Sequence, residues 1–470
     1  MIICRVLLEQ RPSGVPPGPT ALPVLGNLHL FREDPRRVLE QLREKYGDIY
    51  SIYFGKELAV VIHGFDKIKE AFVKHGDVFS GRPSNRLTEQ VCPDKGLITL
   101  SGEKWRKERT LTIQALGDLG FRKALIEGRV CKEISCFVNL LEENVEAPFD
   151  ICLPIHTSIS NVICSFILGK RFEHGDQTFQ DYISRLLANY RAAGATAALN
   201  YLPFLDYLPG DLFKFKKTLH NIFYIVDFIR TIVQDHLITY DRSNVRDFID
   251  AYVKRVEDSG SELNEEQLTH AISHLFVAGT ESVSTAIRWI LLYLCKFPDV
   301  QERIHSEIDS ALAAEEPVAW DDRDRLPFTM ATTMEVMRHA DLAPLGVAHS
   351  ATEDTHFRGH FIPKGTMIIP YMHGVLHDKQ FWGDPEKFRP QRFLNEEGST
   401  VIPEQYVPYA IGRRTCLGEH LAKMEIFLFV ASILKKFSIM LADGPQPELS
   451  DSKMGLTVAP MPFKLVFSKR

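Results

Sequence analysis

Apolar residues recur every three or four positions over most of this chain, and only a few stretches alternate them. The longest helical pattern starts at Asn264, where NEEQ offers an N-cap residue with Gln267 three positions on. It continues through QLTHAISHLFVAGTESVSTAIRWILLYLCK until Pro298 stops it. Some thirty residues at ~1.5 Å each make a rod of roughly 45 to 50 Å. A helix apolar on nearly all faces belongs in a core. A second apolar helix is predicted by LGEHLAKMEIFLFVASIL, after residue 416. Strand patterns are shorter: IYSIYF with LAVVIHG, FIPKGTMIIPY, and GLTVAPMPFKLVF near the end. VEDSGSELN, AAEEPVAWDDRDR, LNEEGST and LADGPQPELSDS are polar breaks and read as surface loops. The prediction is a mainly α chain with small β-sheets and no internal repeat.

Composition narrows the class. The 470 residues are 45% apolar and 25% charged, ordinary for a soluble globular protein. A net charge of −6 without long runs of one sign leaves no footprint for nucleic acid. Most of the eight cysteines sit in apolar settings such as NVICSFIL and ILLYLCKF, where Cys behaves as a small buried hydrophobe. They form no disulfide framework and no paired zinc site, which favours a reduced, intracellular compartment. Residues 1–20 read as a residual tether and Pro-rich hinge, and residues 21–470 as the body. MIICRVLLEQ is interrupted by Arg5, falls short of the ~20 apolar residues a spanning helix needs, and has no signal-peptide cleavage site. RPSGVPPGPTALPVLGN follows as a stiff stretch.

The stretch YAIGRRTCLGEH, residues 409–420, places Cys416 between Gly412 and Gly418, just after Arg413 and Arg414. Two glycines suit a tight loop whose backbone approaches something closely. The thiol precedes a helix, whose N-terminal dipole and free N–H groups favour thiolate. This stretch resembles the cysteine-ligand loop of the cytochrome P450 superfamily, Phe-x-x-Gly-x-Arg-x-Cys-x-Gly. Tyr409, Gly412, Arg414, Cys416 and Gly418 supply the pattern, with Tyr in place of the usual Phe. The resemblance implies that Cys416, as thiolate, is the proximal ligand of haem b iron. It runs from VPPGPTALPVLGNL to GLTVAPMPFKLVF and is nearest to animal microsomal family-2 members, through PPGPT, DFIDAY, FVAGTE, HFRGHFIPKGT and LAKMEI. The implied architecture is the single-domain fold of that family, with haem between a long distal helix and the proximal cysteine loop.

Further positions match. MEVMRH supplies Glu335 and Arg338 one helical turn apart, and FRPQRF supplies Arg392, which by resemblance complete a buried structural charge triad. In GEKWRKER, Trp105 and Arg109 lie at i and i+4 on one helix face. By resemblance both hold haem propionates, with Arg414, His349 and Arg82 as further cofactor-binding residues. AGTESV, within the long helix, resembles the family's oxygen-handling motif. Ala278 and Gly279 remove bulk where a distal ligand must fit, and Gly279 tolerates a local break in the helix ladder. Glu281 and Ser282 form an acid–alcohol pair for proton delivery to reduced dioxygen. Two positions depart from the motif. Ser282 stands where Thr is usual and lacks its β-branch, and Val283 stands where a second hydroxyl is common.

The implied activity is that of a haem-thiolate monooxygenase. It inserts one atom of O2 into a lipophilic small molecule such as a fatty acid, steroid or terpenoid, with electrons from NADPH through a reductase. The alternatives are a haem-thiolate isomerase or dehydratase acting on a lipid hydroperoxide, which generally lacks the acid–alcohol pair, and a non-catalytic haem or lipid-binding protein. The pocket is expected along residues 82–98, 185–215, 276–282 and 342–347, with Tyr190, Arg191, Asn200 and Tyr201 as polar handles. The reductase is expected on a basic proximal face bearing Lys104, Arg106, Lys107, Arg413 and Lys423. Such members work at the cytoplasmic face of the endoplasmic reticulum membrane through an N-terminal helix absent from this chain. LNYLPFLDYLPG, residues 199–210, is apolar enough to dip into a headgroup layer.

Overall fold

The computed structural model describes residues 11–31, 34–120 and 124–470. Residues 1–10 of the expected tether lie outside the described residues. The Pro-rich stretch behind them is docked against the body. Pro16 and Pro17 carbonyls accept from the Ser51 hydroxyl and amide, and the Gly14 carbonyl accepts from the Phe361 amide.

Helix α1 (Pro35–Tyr46) opens where the Asp34 carboxylate accepts from the Arg36 amide and Pro35 needs no N–H partner. Strands β1 (Ile49–Phe54) and β2 (Glu57–Ile62) follow as predicted and pair antiparallel, with Tyr50 opposite Val61. Their two-residue turn holds Gly55 at φ +59°, where a side chain would also strike the Tyr201 carbonyl. Helices α2 (Gly102–Asp118), α3 (Cys152–Ile167), α4 (Gln177–Tyr201) and α5 (Phe215–Ile238) form most of the remaining shell.

Helix α6 (Glu265–Lys296) is the predicted rod. Asn264 caps it by accepting from the Gln267 amide at 2.9 Å. The Gln267 side chain does not return to close a capping box. It binds the Gly96 backbone at both its amide and its carbonyl, because that loop offers two partners in place of one. The helix ends before Pro298, which starts the next one. Helix α6 packs on α3, α5 and α9 (Glu419–Lys436), and Ile155, Ile159, Phe276, Ile287, Leu291 and Phe427 share one core cluster. Among the described residues it alone is long and apolar enough to cross a membrane, but here it is buried inside the protein.

Helix α7 (Pro327–Ala340) lies before the second part of the main sheet. That sheet runs β1, β2, β4 (Met367–Pro370), β3 (His349–Ser350), with β2 and β4 parallel. The single run FIPKGTMIIPY divides at Gly365, φ +82°. Residues His360–Ile362 join a hairpin with Thr355–Phe357, while β4 enters the main sheet. GLTVAPMPFKLVF divides likewise near Pro462, since proline cannot donate to a ladder. Its second half, β6 (Leu465–Lys469), pairs with β5 (Phe437–Leu441) at the end of α9. A short helix α8 (Met372–Leu376) follows β4. All seven described cysteines are unpaired.

Candidate active site

The Cys416 loop closes on itself before α9 begins. The Cys416 amide donates to the Tyr409 carbonyl at 2.9 Å, and Thr415 donates to Gly412 at 3.1 Å. Gly412 is required twice: its φ is +83°, and a Cβ would stand 2.0 Å from the Phe72 carbonyl oxygen. The close approach is thus to protein backbone. Gly418 has open space around it and caps α9. Cys416 is exposed, yet burial is the largest cause raising its thiol pKa, so it lines a recess. The Gly418 N–H and the Arg109 charge pull the other way and are outweighed. Desolvation thus opposes the thiolate that the Gly418 N–H and Arg109 favour.

Above this loop converge three guanidinium groups. Arg109 donates to the Thr415 carbonyl at 2.8 Å. Arg414 donates to the Ser80 carbonyl at 2.9 Å and to Leu100, and lies over the Trp105 ring at 3.8 Å. Arg109 faces the same indole at 5.9 Å. Arg82 reaches the carbonyls of Val347 and Ala348 at 3.0 and 2.7 Å. Among the described residues, no carboxylate pairs with any of the three. Burial and then mutual repulsion push Arg414 down to about 8, while burial and Arg109 push Arg82 to about 10. His349 is buried against them, bonded to the Phe79 carbonyl at 2.7 Å and held neutral with a pKa of about 3 by burial and Arg82. Arg414 is buried and Arg82 and Arg109 are half-buried, and clustered cations without a counter-charge are unfavourable. The chemistry of the donor set fits a group carrying two carboxylates, as the propionates of haem would supply.

Helix α6 presents an opening at its centre. Ala278 is exposed although residues on both sides are core, and the Ser282 hydroxyl is open too, donating to the Ala278 carbonyl at 2.8 Å. Gly279 does something else than expected. A Cβ there would strike the Ile163 side chain at 2.8 Å, so its small size lets α3 pack on α6. The α6 ladder runs unbroken, without the local break that glycine would allow. Glu281 and Ser282 make no direct bond. Glu281 is 4% exposed and turned toward the C-terminal segment, where the Thr457 hydroxyl meets both carboxylate oxygens at 2.6 and 2.8 Å and Thr285 adds 3.0 Å. Burial raises its pKa against those hydrogen bonds. Successive helix positions point about 100° apart, which is why neighbours in sequence part company here. Thr457 lay beyond sequence reasoning, since nothing local links it to residue 281.

The triad residues meet at full burial. Arg338 binds Glu335 at 2.7 and 3.0 Å, and Arg392 reaches Glu335 Oε1 at 3.2 Å. Arg338 also donates to the carbonyls of Leu376 and Pro385, both at 2.8 Å, and the Arg389 amide donates to Glu335 at 2.9 Å. Of the expected polar handles, Tyr190 is spent on the Val277 carbonyl, Asn200 on the Arg86 amide, and Tyr201 packs on Phe54. Arg191 is exposed. The expected basic face is largely paired: Arg106 and Arg413 share Asp77, Lys104 holds Asp94 and Lys423 holds Glu419, while Lys107 is exposed.

The family model described as Cytochrome P450 matches residues 16–467. The chain is 36% identical over 467 residues to Cytochrome P450 2B2 of Rattus norvegicus, covering 97% of this chain and 94% of that protein. It is 37% identical over 464 residues to Cytochrome P450 2H2 of Gallus gallus, with the same two coverages. Cytochrome P450 2U1 of Homo sapiens is 34% identical over 496 residues, covering 99% and 91%.

Proposed function

The chain belongs to the cytochrome P450 family, haem b monooxygenases that act on lipophilic substrates with O2 and a redox partner, and on that premise we propose roles for its residues. The observation that carries the reading is the uncompensated guanidinium cluster over the recessed Cys416. Arg82, Arg109 and Arg414, with Trp105 and His349, bind and orient the two propionates. Cys416 ligates the iron, and Tyr409 and Gly412 hold its loop. To hold iron, Cys416 would give up its thiol proton, since only the thiolate is a metal ligand. Bound there, haem supplies the dioxygen chemistry that side chains lack.

Ala278 keeps the distal side clear. Ser282 would relay a proton by accepting one at its free lone pairs and turning its own hydroxyl hydrogen from the Ala278 carbonyl into the cleft. Glu281 is an acid held off the cleft by Thr457 and Thr285. Restoring the β-branch narrows the hydroxyl's rotamers, so Ser282→Thr lowers peroxide released per NADPH consumed by roughly twofold. An unchanged or higher peroxide yield removes Ser282 from proton delivery.

We assign the substrate to the fatty acid, steroid or terpenoid class and the electron donor to NADPH–cytochrome P450 reductase. Absorption shifts on titrating such lipids into holoprotein test the substrate class. NADPH consumption with added reductase tests the reaction. Turnover of a lipid hydroperoxide without reductase, and none with it, would establish the isomerase reading instead.

Membrane contact has a concrete surface. Phe204, Tyr207, Leu208 and Leu212 are exposed, Tyr207 at 91%, and Tyr201 links them through Phe54 to exposed Leu22, Val24 and Leu25. We place this patch in the headgroup layer at the cytoplasmic face of the endoplasmic reticulum. Tyr207→Asp with Leu212→Asp weakens binding to phosphatidylcholine vesicles by at least about tenfold in a flotation assay. Binding equal to the parent's excludes the patch.

A further inference from the structure

Outside the haem site, Asp341, His373 and His377 bring three ligand atoms within 4.8 Å of one another. Asp341 is buried just past α7, and its side chain has one hydrogen-bond partner among the described residues, His373 Nδ1 at 2.7 Å. His373 and His377 stand one helical turn apart on α8 and its cap, with rings stacked at 4.1 Å. An ordinary Asp–His pair accounts for the first two residues. The second imidazole, its Nδ1 at 3.3 Å from the His373 carbonyl, stacks on the first and brings a third ligand atom to the pair.

We propose that Asp341, His373 and His377 form a binding site for a divalent transition-metal ion, with Zn2+ as its representative. Two imidazoles at i and i+4 with one carboxylate match the borderline ions and not the hard ones, so Mg2+ and Ca2+ bind far more weakly. Zn–N and Zn–O distances of about 2.0–2.2 Å set ligand atoms about 3.4 Å apart, so the 2.7 Å contact of Asp341 with His373 opens to admit the ion, by rotation of the histidine side chains. Three protein ligands leave one position for water. His373 is about one-fifth exposed and forms the mouth, with the carboxylate at the base.

The site would act as a staple. It joins the end of α7 to α8, and the same helical turn is already fastened to the triad because Arg338 donates to the Leu376 carbonyl. Occupancy therefore strengthens the segment that carries the triad without touching the haem site.

The test uses haem-loaded full chain without a histidine tag, titrated with ZnCl2 against a chromogenic chelator. One Zn2+ per chain should bind with micromolar or tighter affinity. His373→Ala and His377→Ala should each weaken it by at least about tenfold. The thermal midpoint should rise with Zn2+ only in the parent chain, and excess Mg2+ should leave both readouts unchanged. Absence of uptake at about 100 µM Zn2+, or parent-like uptake in either histidine variant, overturns the site. The remaining histidines of the 17 in the chain serve as the internal control for surface binding.

Discussion

Cys416→Ser abolishes NADPH-dependent product formation, lowering it by more than about 100-fold, the upper end of what loss of a merely supporting metal-site group costs. The loop closes through backbone bonds, Cys416 N to Tyr409 O and Thr415 N to Gly412 O, and these survive the substitution. Stability accordingly changes by no more than about 1 kcal/mol, as for a small substitution outside the core. The reduced, carbon monoxide-treated holoprotein loses the spectrum of a thiolate ligand, because a serine oxygen does not take the anionic role sulfur takes. If pigment, spectrum and turnover all persist in the serine variant, residue 416 is not the iron ligand and the assignments around it fall together. If Arg82, Arg109 and Arg414 hold the propionates, replacing any of them weakens haem retention while leaving that spectrum intact. The two sets of variants therefore separate ligation from anchoring.

Glu335→Ala costs about 3–5 kcal/mol of folding stability, since it leaves Arg338 buried as an uncompensated cation, while Arg392 keeps Asp384. Both carboxylate oxygens are engaged by Arg338, one of them also by Arg392 and the Arg389 amide, and Glu335 and Arg338 have no solvent access. Chemical denaturation followed by haem absorbance and by circular dichroism measures the loss. Arg242, paired with Glu257 and Asp258 at the surface, is the internal contrast, and Arg242→Ala costs about 0–1 kcal/mol. Equal costs for the two substitutions would show that the triad is no more than an ordinary ion pair.

Periodicity made the architecture legible. The span of α6, its Asn264 cap and its stop at Pro298 follow from local rules, as do β1 and β2 with their Gly55 turn. Two strands read as single runs were divided by Gly365 and near Pro462, because a strand ends where its backbone turns or cannot donate, whatever its hydrophobicity. Composition records the stiffness of the Pro-rich stretch, and its docking through Ser51 is visible only in the fold.

Within the site, the chain by itself determined which residue types stand where: a cysteine between glycines, arginines beside it and on the Trp105 helix, an acid and an alcohol side by side on one helix. These are matters of order along a polymer, and order is what a sequence records. Only the tertiary structure decided that Gly279 makes room for Ile163, that Glu281 turns to Thr457, that Asp77 takes up two cations of the expected docking face, and that burial raises the Cys416 thiol pKa. Each depends on what lies within a few ångströms from a distant part of the chain, where desolvation and contact energies are set, and no local pattern encodes those neighbours.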